Sequence, residues 1–308
     1  MEGRAAALGA GTVLNALATG TGAAFGLDVE TRATVDLDPG AAAVDGAIAE
    51  APAADTELIE RCVALATDRW GDGEGGTVRT DSDVPLAAGL KSSSAAANAT
   101  VLATCAALGL TVGDDASDPD VDVTRIEACR LGVRAARDAG VTVTGAFDDA
   151  TASMLGGVCL TDNAADELRL REPVTWDALV WTPPERAYSA DADVDRCERV
   201  ASMADLVADL AVDGRYAEAM TVNGLAFSAA LGFDTDPAVE AMPHAAGVSL
   251  SGTGPSVVAV AERDDPDSDL DAVADLWGER SGTLRRTTTR NDGARVLESP
   301  DGTDDTRP

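Results

Sequence analysis

Pro85-Leu86-Ala87-Ala88-Gly89-Leu90-Lys91-Ser92-Ser93-Ser94-Ala95 holds the only lysine in a chain of 308 residues. Every other basic residue is an arginine, apart from His244. The stretch joins a glycine turn, a flexible ammonium and three hydroxyls, the groups that hold a polyphosphate and its metal. A solvated lysine in a Gly/Ser turn has the same local composition, so the flanks decide. Upstream, residues 78–84 read as a short strand. Downstream, residues 94–108 are Ala-rich with no Pro or Gly before Gly109, which predicts a helix capped at Gly109. The loop therefore delivers its hydroxyls at a helix N-terminus, where unpaired N–H groups and the helix dipole favour an anion.

Two common phosphate loops are excluded. A Walker A loop needs Gly immediately before Lys, and here Leu90 precedes Lys91. The G-x-G-x-x-G spacing of a dinucleotide-binding fold is also missing from the loop.

The chain carries 23 Lys+Arg against 54 Asp+Glu, a formal net charge of -31. Such a surface repels nucleic acid and anionic membranes, so neither is expected as a partner. Hydrophobic residues make up 45% and most acids stand singly, which predicts a folded protein with an acidic skin. Carboxylates hold water and hydrated cations, and concentrated salt screens their mutual repulsion. With lysine nearly absent, this balance predicts a halophilic source. Aromatics at 3% predict an Ala/Val/Leu core. Cys62, Cys105, Cys129, Cys159 and Cys197 are widely spaced, with no C-x-x-C pair, which predicts buried free thiols. No signal-peptide layout and no uninterrupted apolar span of membrane length are present, so a cytoplasmic location is expected.

Along the chain, residues 4–17 are small and apolar, and 25–38 read as a strand pair. Helical spacing covers 55–70, with Asp55 or Thr56 as N-cap, and again 123–139. Residues 141–153 read as a strand or turn ending at Asp148-Asp149. Short strands follow at 158–161, 168–170 and 179–181. Residues 194–231 predict two or three helices, broken at Asp213-Gly214 and near Gly224. Residues 248–262 read as strand, Gly turn, strand; 269–280 as a helix; and 282–289 and 294–297 as strands. Mixed runs rather than strict βαβ alternation predict an α+β fold.

Pro85-x-x-x-Gly89-Leu90-x-Ser92-Ser93 resembles the second motif of the GHMP kinases, the family named after galactokinase, homoserine kinase, mevalonate kinase and phosphomevalonate kinase. Gly9-Ala10-Gly11-Thr12-Val13-Leu14-Asn15 resembles the first motif, and Leu250-Ser251-Gly252-Thr253-Gly254-Pro255-Ser256 the third. The three occur in the family's order and span nearly the whole chain. Lysine in Gly-Leu-Lys-Ser-Ser-Ser, and Thr144-Gly145-Ala146-Phe147-Asp148-Asp149-Ala150, are most similar to the archaeal-type shikimate kinases within it.

The resemblance implies a GHMP kinase fold: two α/β domains with an ATP site in the cleft between them. The expected division is 1–157 for the N-terminal domain, 158–298 for the C-terminal domain and 299–308 for a polar tail. It implies ATP-dependent phosphorylation of the shikimate 3-hydroxyl, with another GHMP acceptor such as homoserine or mevalonate as the alternative. Pro85, Leu86, Ala87, Ala88, Gly89, Leu90, Lys91, Ser92, Ser93, Ser94 and Ala95 would hold ATP. Asp148 would be the catalytic acid/base, with Asp149 as the alternative. A carboxylate beside the acceptor hydroxyl orients it and takes its proton. Mg²⁺ would bridge the phosphates, with a ligand from Ser93 and one from Glu127 on the preceding helix. Asn15, Gly252, Thr253 and Gly254 would lie on the substrate or phosphate side. Arg285, Arg286 and Arg290 are candidate partners for the carboxylate of shikimate; His244 is expected to be exposed.

Overall fold

A computed structural model describes residues 1–84, 87–142, 144–187, 192–263 and 265–298. The expected tail at 299–308 lies outside the described residues, as do Pro85 and Leu86. The first half of the chain forms β1 (Glu2–Leu14), β2 (Thr21–Asp38), β3 (Val44–Ile48), α1 (Glu57–Trp70), β4 (Gly75–Ser82), α2 (Ser92–Ala107), β5 (Val112–Gly113), β6 (Val123–Thr124), α3 (Arg125–Asp138) and α4 (Phe147–Leu155). The second half forms β7 (Val158–Asp162), β8 (Glu167–Glu172), β9 (Trp176–Thr182), α5 (Val194–Glu198), α6 (Ala201–Val212), α7 (Tyr216–Leu231), α8 (Asp236–Ala241), β10 (Gly247–Leu250), β11 (Val257–Glu262), α9 (Leu270–Gly278), β12 (Thr283–Thr288) and β13 (Arg295–Val296).

A seven-stranded sheet runs β13-β1-β2-β4-β3, with β7 on β2 and β8 on β7. A four-stranded antiparallel sheet runs β10-β11-β9-β12. One face of the larger sheet buries Ala5, Ala7, Val35 and Val78 against Ile59 and Val63 of α1, Leu102 of α2, Val133 of α3 and Phe147 of α4. A second core joins Leu14, Phe25 and Leu27 to Trp176 and Val180 of β9, Val207 of α6 and Met220 and Phe227 of α7. There Phe25 and Trp176 pack edge to face at 5.3 Å, a preferred aromatic geometry. A third, smaller core packs Ala238 of α8 and Trp277 of α9 against Leu179, Val248 and Val257. The five cysteines are buried and free. No helix among the described residues is long and apolar enough to cross a membrane.

Several elements differ from the sequence reading. Residues 25–38 belong to one strand, β2, because β1 pairs with it almost end to end. Residues 147–155 are helical rather than strand or turn: Gly145 and Ala146 adopt left-handed conformations that reverse the chain. Gly224 does not break α7. It lets the helix lie on β10, where a Cβ would meet Ser249 Cα and Val248 O at 2.8 Å. The short α8 starts at Asp236-Pro237, with Pro in the first turn, where its missing N–H costs nothing. A cut at 157/158 falls inside the larger sheet, since β7, β8 and β13 complete it; the smaller sheet begins at Trp176.

Candidate functional site

A cleft of about 890 Å³ opens where α2 and α4 begin. It is lined by Ala87, Gly89, Lys91 and Ser92–Ser94 of the loop, by Asn15, Gly252 and Thr253, and by Asp148 and Asp149. Ile48, Ala51, Pro52, Leu58 and Ile59 add apolar lining. Ala88, Leu90 and Ala95 are buried behind this surface. Gly254 packs against the ring of Phe233.

Three non-glycine residues of the cleft have left-handed backbones: Ala87 (φ 53), Lys91 (φ 65) and Ala146 (φ 48). Such conformations cost about 1–3 kcal/mol each and concentrate where function demands a backbone shape. Lys91 is the N-cap of α2, and no side chain caps that helix. Ser92–Ser94 of that first turn line the cleft, and the N–H groups of an uncapped helix start are suited to an anion.

The three sequence motifs meet through direct hydrogen bonds. Asn15 Nδ2 donates to Gly252 O at 2.8 Å, and Gly252 N–H donates to Thr12 Oγ1 at 2.7 Å. Ser251 Oγ donates to Gly89 O at 2.8 Å. Gly89, at φ 82, has no space for a side chain: a Cβ would sit 2.2 Å from Ser251 O. Asn15 Oδ1 accepts from Leu17 N–H, so both ends of its amide are engaged within the chain.

The two aspartates occupy the first turn of α4, at the positive end of its dipole. Asp148 is only 4% exposed. Burial, then the neighbouring Asp149 carboxylate, raise its pKa to about 7, while Lys91 and a hydrogen bond from Asn163 pull the other way. Lys91 Nζ lies 2.9 Å from Asp149 Oδ1, and both side chains are largely buried. Asn163, in the turn after β7, donates from Nδ2 to Asp148 Oδ1 at 2.8 Å. This arrangement joins a near-neutral carboxyl, an ammonium and a helix N-terminus, the set needed to deprotonate a hydroxyl beside a phosphate.

Glu127 lies elsewhere. Its carboxylate accepts Thr124 N–H at 3.0 Å while Thr124 Oγ1 accepts Glu127 N–H at 3.2 Å, a capping box at the start of α3. Arg286 pairs with Asp271, and Arg290 is tied to Asp28, Glu30 and Asp292. Arg285 is exposed on β12. None of these arginines lines the cleft, nor does the half-buried His244. Sequence reasoning missed Arg186, which with Lys91 supplies the cations of the cleft lining among the described residues. It missed the apolar lining and Asn163 as well. Only the Asn type at a strand end could have flagged the last.

A shikimate kinase of Halobacterium salinarum is 64% identical over 296 residues, covering 96% of this chain and all of that protein. The chain belongs to the shikimate kinase family of GHMP kinases. A family member from Methanosarcina mazei is 46% identical over 96% of each chain. The model of the GHMP kinases N terminal domain matches residues 57–157, which include the phosphate-loop region and both aspartates. Solved GHMP folds superpose over nearly the whole chain at low identity. Homoserine kinase from Cytophaga hutchinsonii gives a TM-score of 0.71 at 16% identity, covering 96% of this chain and 97% of its own. Galactokinase from Lactococcus lactis gives 0.71 at 13%, covering 96% and 95%. As a family kinase the chain uses ATP, and its acid-rich, lysine-poor composition is halophilic, as befits a relative from Halobacterium.

Proposed function

We propose that this chain transfers the γ-phosphate of ATP to the 3-hydroxyl of shikimate, a step toward chorismate and the aromatic amino acids, in the cytoplasm. One observation carries the site assignment: the buried Asp148 carboxyl shares one cleft with the uncapped N-terminus of α2. The relatives' names supply the acceptor.

In this reading the triphosphate lies on the first-turn N–H groups of α2, within the loop Ala87–Ala95. Asp148 receives the proton of the 3-hydroxyl as the oxygen attacks the γ-phosphorus and the bond from that phosphorus to the β,γ-bridging oxygen breaks, releasing ADP. A base matched to the working pH serves such a transfer. Lys91 adds positive charge beside the phosphates, and Asp149 holds that ammonium in place. Asn15 and Gly252 shape the wall beside Lys91 through the hydrogen bond between them.

Mg²⁺ fits this site as a partner of the nucleotide. Among the described residues no group of three His, Cys, Asp or Glu side chains converges on a metal position. The exposed hydroxyl of Ser93 at the α2 N-terminus is a hard oxygen donor suited to an ion whose other ligands are water and phosphate. Bound there, Mg²⁺ neutralises phosphate charge. Glu127, held by its capping box, is not part of this proposal. Arg186 offers the guanidinium that an anionic substrate group needs.

The acceptor is tested by a coupled ADP-release assay at high KCl with shikimate, homoserine and mevalonate. Turnover with shikimate alone is expected. Preferential turnover of another acceptor would overturn the assignment.

A further inference from the structure

Asp148 is held by a side chain far from it in sequence. Asn163 is only 1% exposed and grips residue 148 twice. Its Oδ1 accepts the Asp148 N–H at 3.1 Å, and its Nδ2 donates to Asp148 Oδ1 at 2.8 Å. A backbone N–H can only donate, so Asn163 Oδ1 must face it, and the NH₂ group must then face the carboxylate. Thr161 Oγ1 donates to the same Oδ1 at 2.7 Å and reinforces this orientation. Asn163 N–H donates to Gly20 O at 2.9 Å, which anchors its backbone to the start of β2. The α4 N-cap is Ala146, which has no capping side chain, so Asn163 supplies the cap from another element.

We propose that Asn163 is a positioning residue for phosphoryl transfer, fixing the Asp148 carboxyl at the cleft through its Oδ1. The inference rests on Asp148 as the base. A side chain that merely capped α4 would need only its acceptor. The NH₂ group aimed at the carboxylate serves the ionised form. The other charged or titratable neighbours are few. Asp149 on α4 disfavours ionisation and Lys91 at the head of α2 favours it. Cys159 on β7 is kept a thiol by burial, its pKa pushed up to about 12. Arg137 of α3 donates to Asn163 O and is paired with Asp166.

The test compares Asn163→Asp, Asn163→Ala, Thr161→Val and Asp148→Asn by kcat/KM against pH and by thermal unfolding at high KCl. Asn163→Asp keeps the size and the acceptor that caps α4, but replaces the donor with an oxygen and adds a carboxylate, whereas Asn163→Ala removes donor and acceptor together. Without the donor the carboxylate binds its proton more tightly. Activity should therefore fall by about tenfold near neutrality and recover as the pH rises, one pH unit of displacement being tenfold. Asn163→Asp should move the acid limb further than Asn163→Ala, because it adds a like charge. Thr161→Val should leave the limb in place. A uniform loss with an unmoved limb in both Asn163 variants, or an equal displacement in Thr161→Val, would overturn the proposal. Asp148→Asn separates the two levels. If it stays active, the base assignment fails. If it is inactive while the Asn163 limbs do not move, only the role of Asn163 fails.

Discussion

Lys91 Nζ and Asp149 Oδ1 stand 2.9 Å apart inside the cleft, with the lysine side chain 4% exposed. The one lysine of the chain is thus no remnant on an acidic surface. Asp149 Oδ1 has no other hydrogen-bond donor among the described residues, so besides the positive end of α4 the ammonium is its compensation. Removing one member of a buried pair strands the other at a cost of about 3–5 kcal/mol, before any allowance for the partial exposure of Asp149. Lys91→Met should lower the melting temperature, weaken ATP binding and move the acid limb of kcat/KM upward, because Lys91 favours the ionised form of Asp148. Unchanged melting together with unchanged ATP affinity would rule out a working pair.

Asp148 should also cost the fold stability. Its folded pKa is raised from 3.8 to about 7, chiefly by burial. Below the unfolded value both states are protonated and nothing is lost. As pH rises through the interval the unfolded chain releases its proton first, so stability falls and the penalty is complete above about 7. Asp148→Asn should melt higher than wild type at mildly alkaline pH and close to it at acid pH. An equal or lower melting temperature for the variant at alkaline pH counts against the buried, strained carboxyl.

Arg186 faces the cleft from the segment after β9, where Ala187 N–H donates to Ala87 O at 3.2 Å. Loss of a guanidinium–anion contact costs about 1.5–3 kcal/mol, or roughly 10- to 100-fold in apparent affinity. Arg186→Gln should raise KM for shikimate or for ATP by such a factor while kcat changes less. If both constants stay at the wild-type value, Arg186 is a bystander.

Glu127 is an element of structure. Glu127→Gln should leave kcat and the Mg²⁺ dependence unaltered, whereas Thr124→Ala should destabilise α3 by about 1 kcal/mol through loss of the cap. A large rise in the Mg²⁺ concentration needed by Glu127→Gln would return that residue to the metal.

The sequence read the family well because its motifs are local. Gly89, Lys91 and Ser92–Ser94 declare a loop and a helix start, and Gly252-Thr253-Gly254 a turn between strands. The alternation of β2 and the Ala-rich run of α2 were equally plain, with ends displaced by a few residues. Other features depend on tertiary contact. The β-branched residues Val141, Thr142 and Thr144 suggested a strand, yet left-handed Gly145 and Ala146 turn the chain into α4. Gly224 looked like a helix break and is a contact surface for β10. Glu127 had the right residue type on the right helix, but three residues back Thr124 claims its carboxylate. Asn163 and Arg186 carry no motif. Asn163 meets Asp148, 15 residues away, and Arg186 reaches the cleft lining only in the folded chain, so only the fold reveals them.

The central claim is that Asp148 serves phosphoryl transfer to shikimate in this cleft. The most direct test measures shikimate 3-phosphate formed from ATP, Mg²⁺ and shikimate at high KCl by wild-type and Asp148→Asn protein, with ATP binding measured alongside. Wild type should turn over, and the variant should lose at least about 10²-fold in kcat while binding ATP normally. Near-normal kcat in Asp148→Asn, or no shikimate phosphorylation by wild type, would contradict the account.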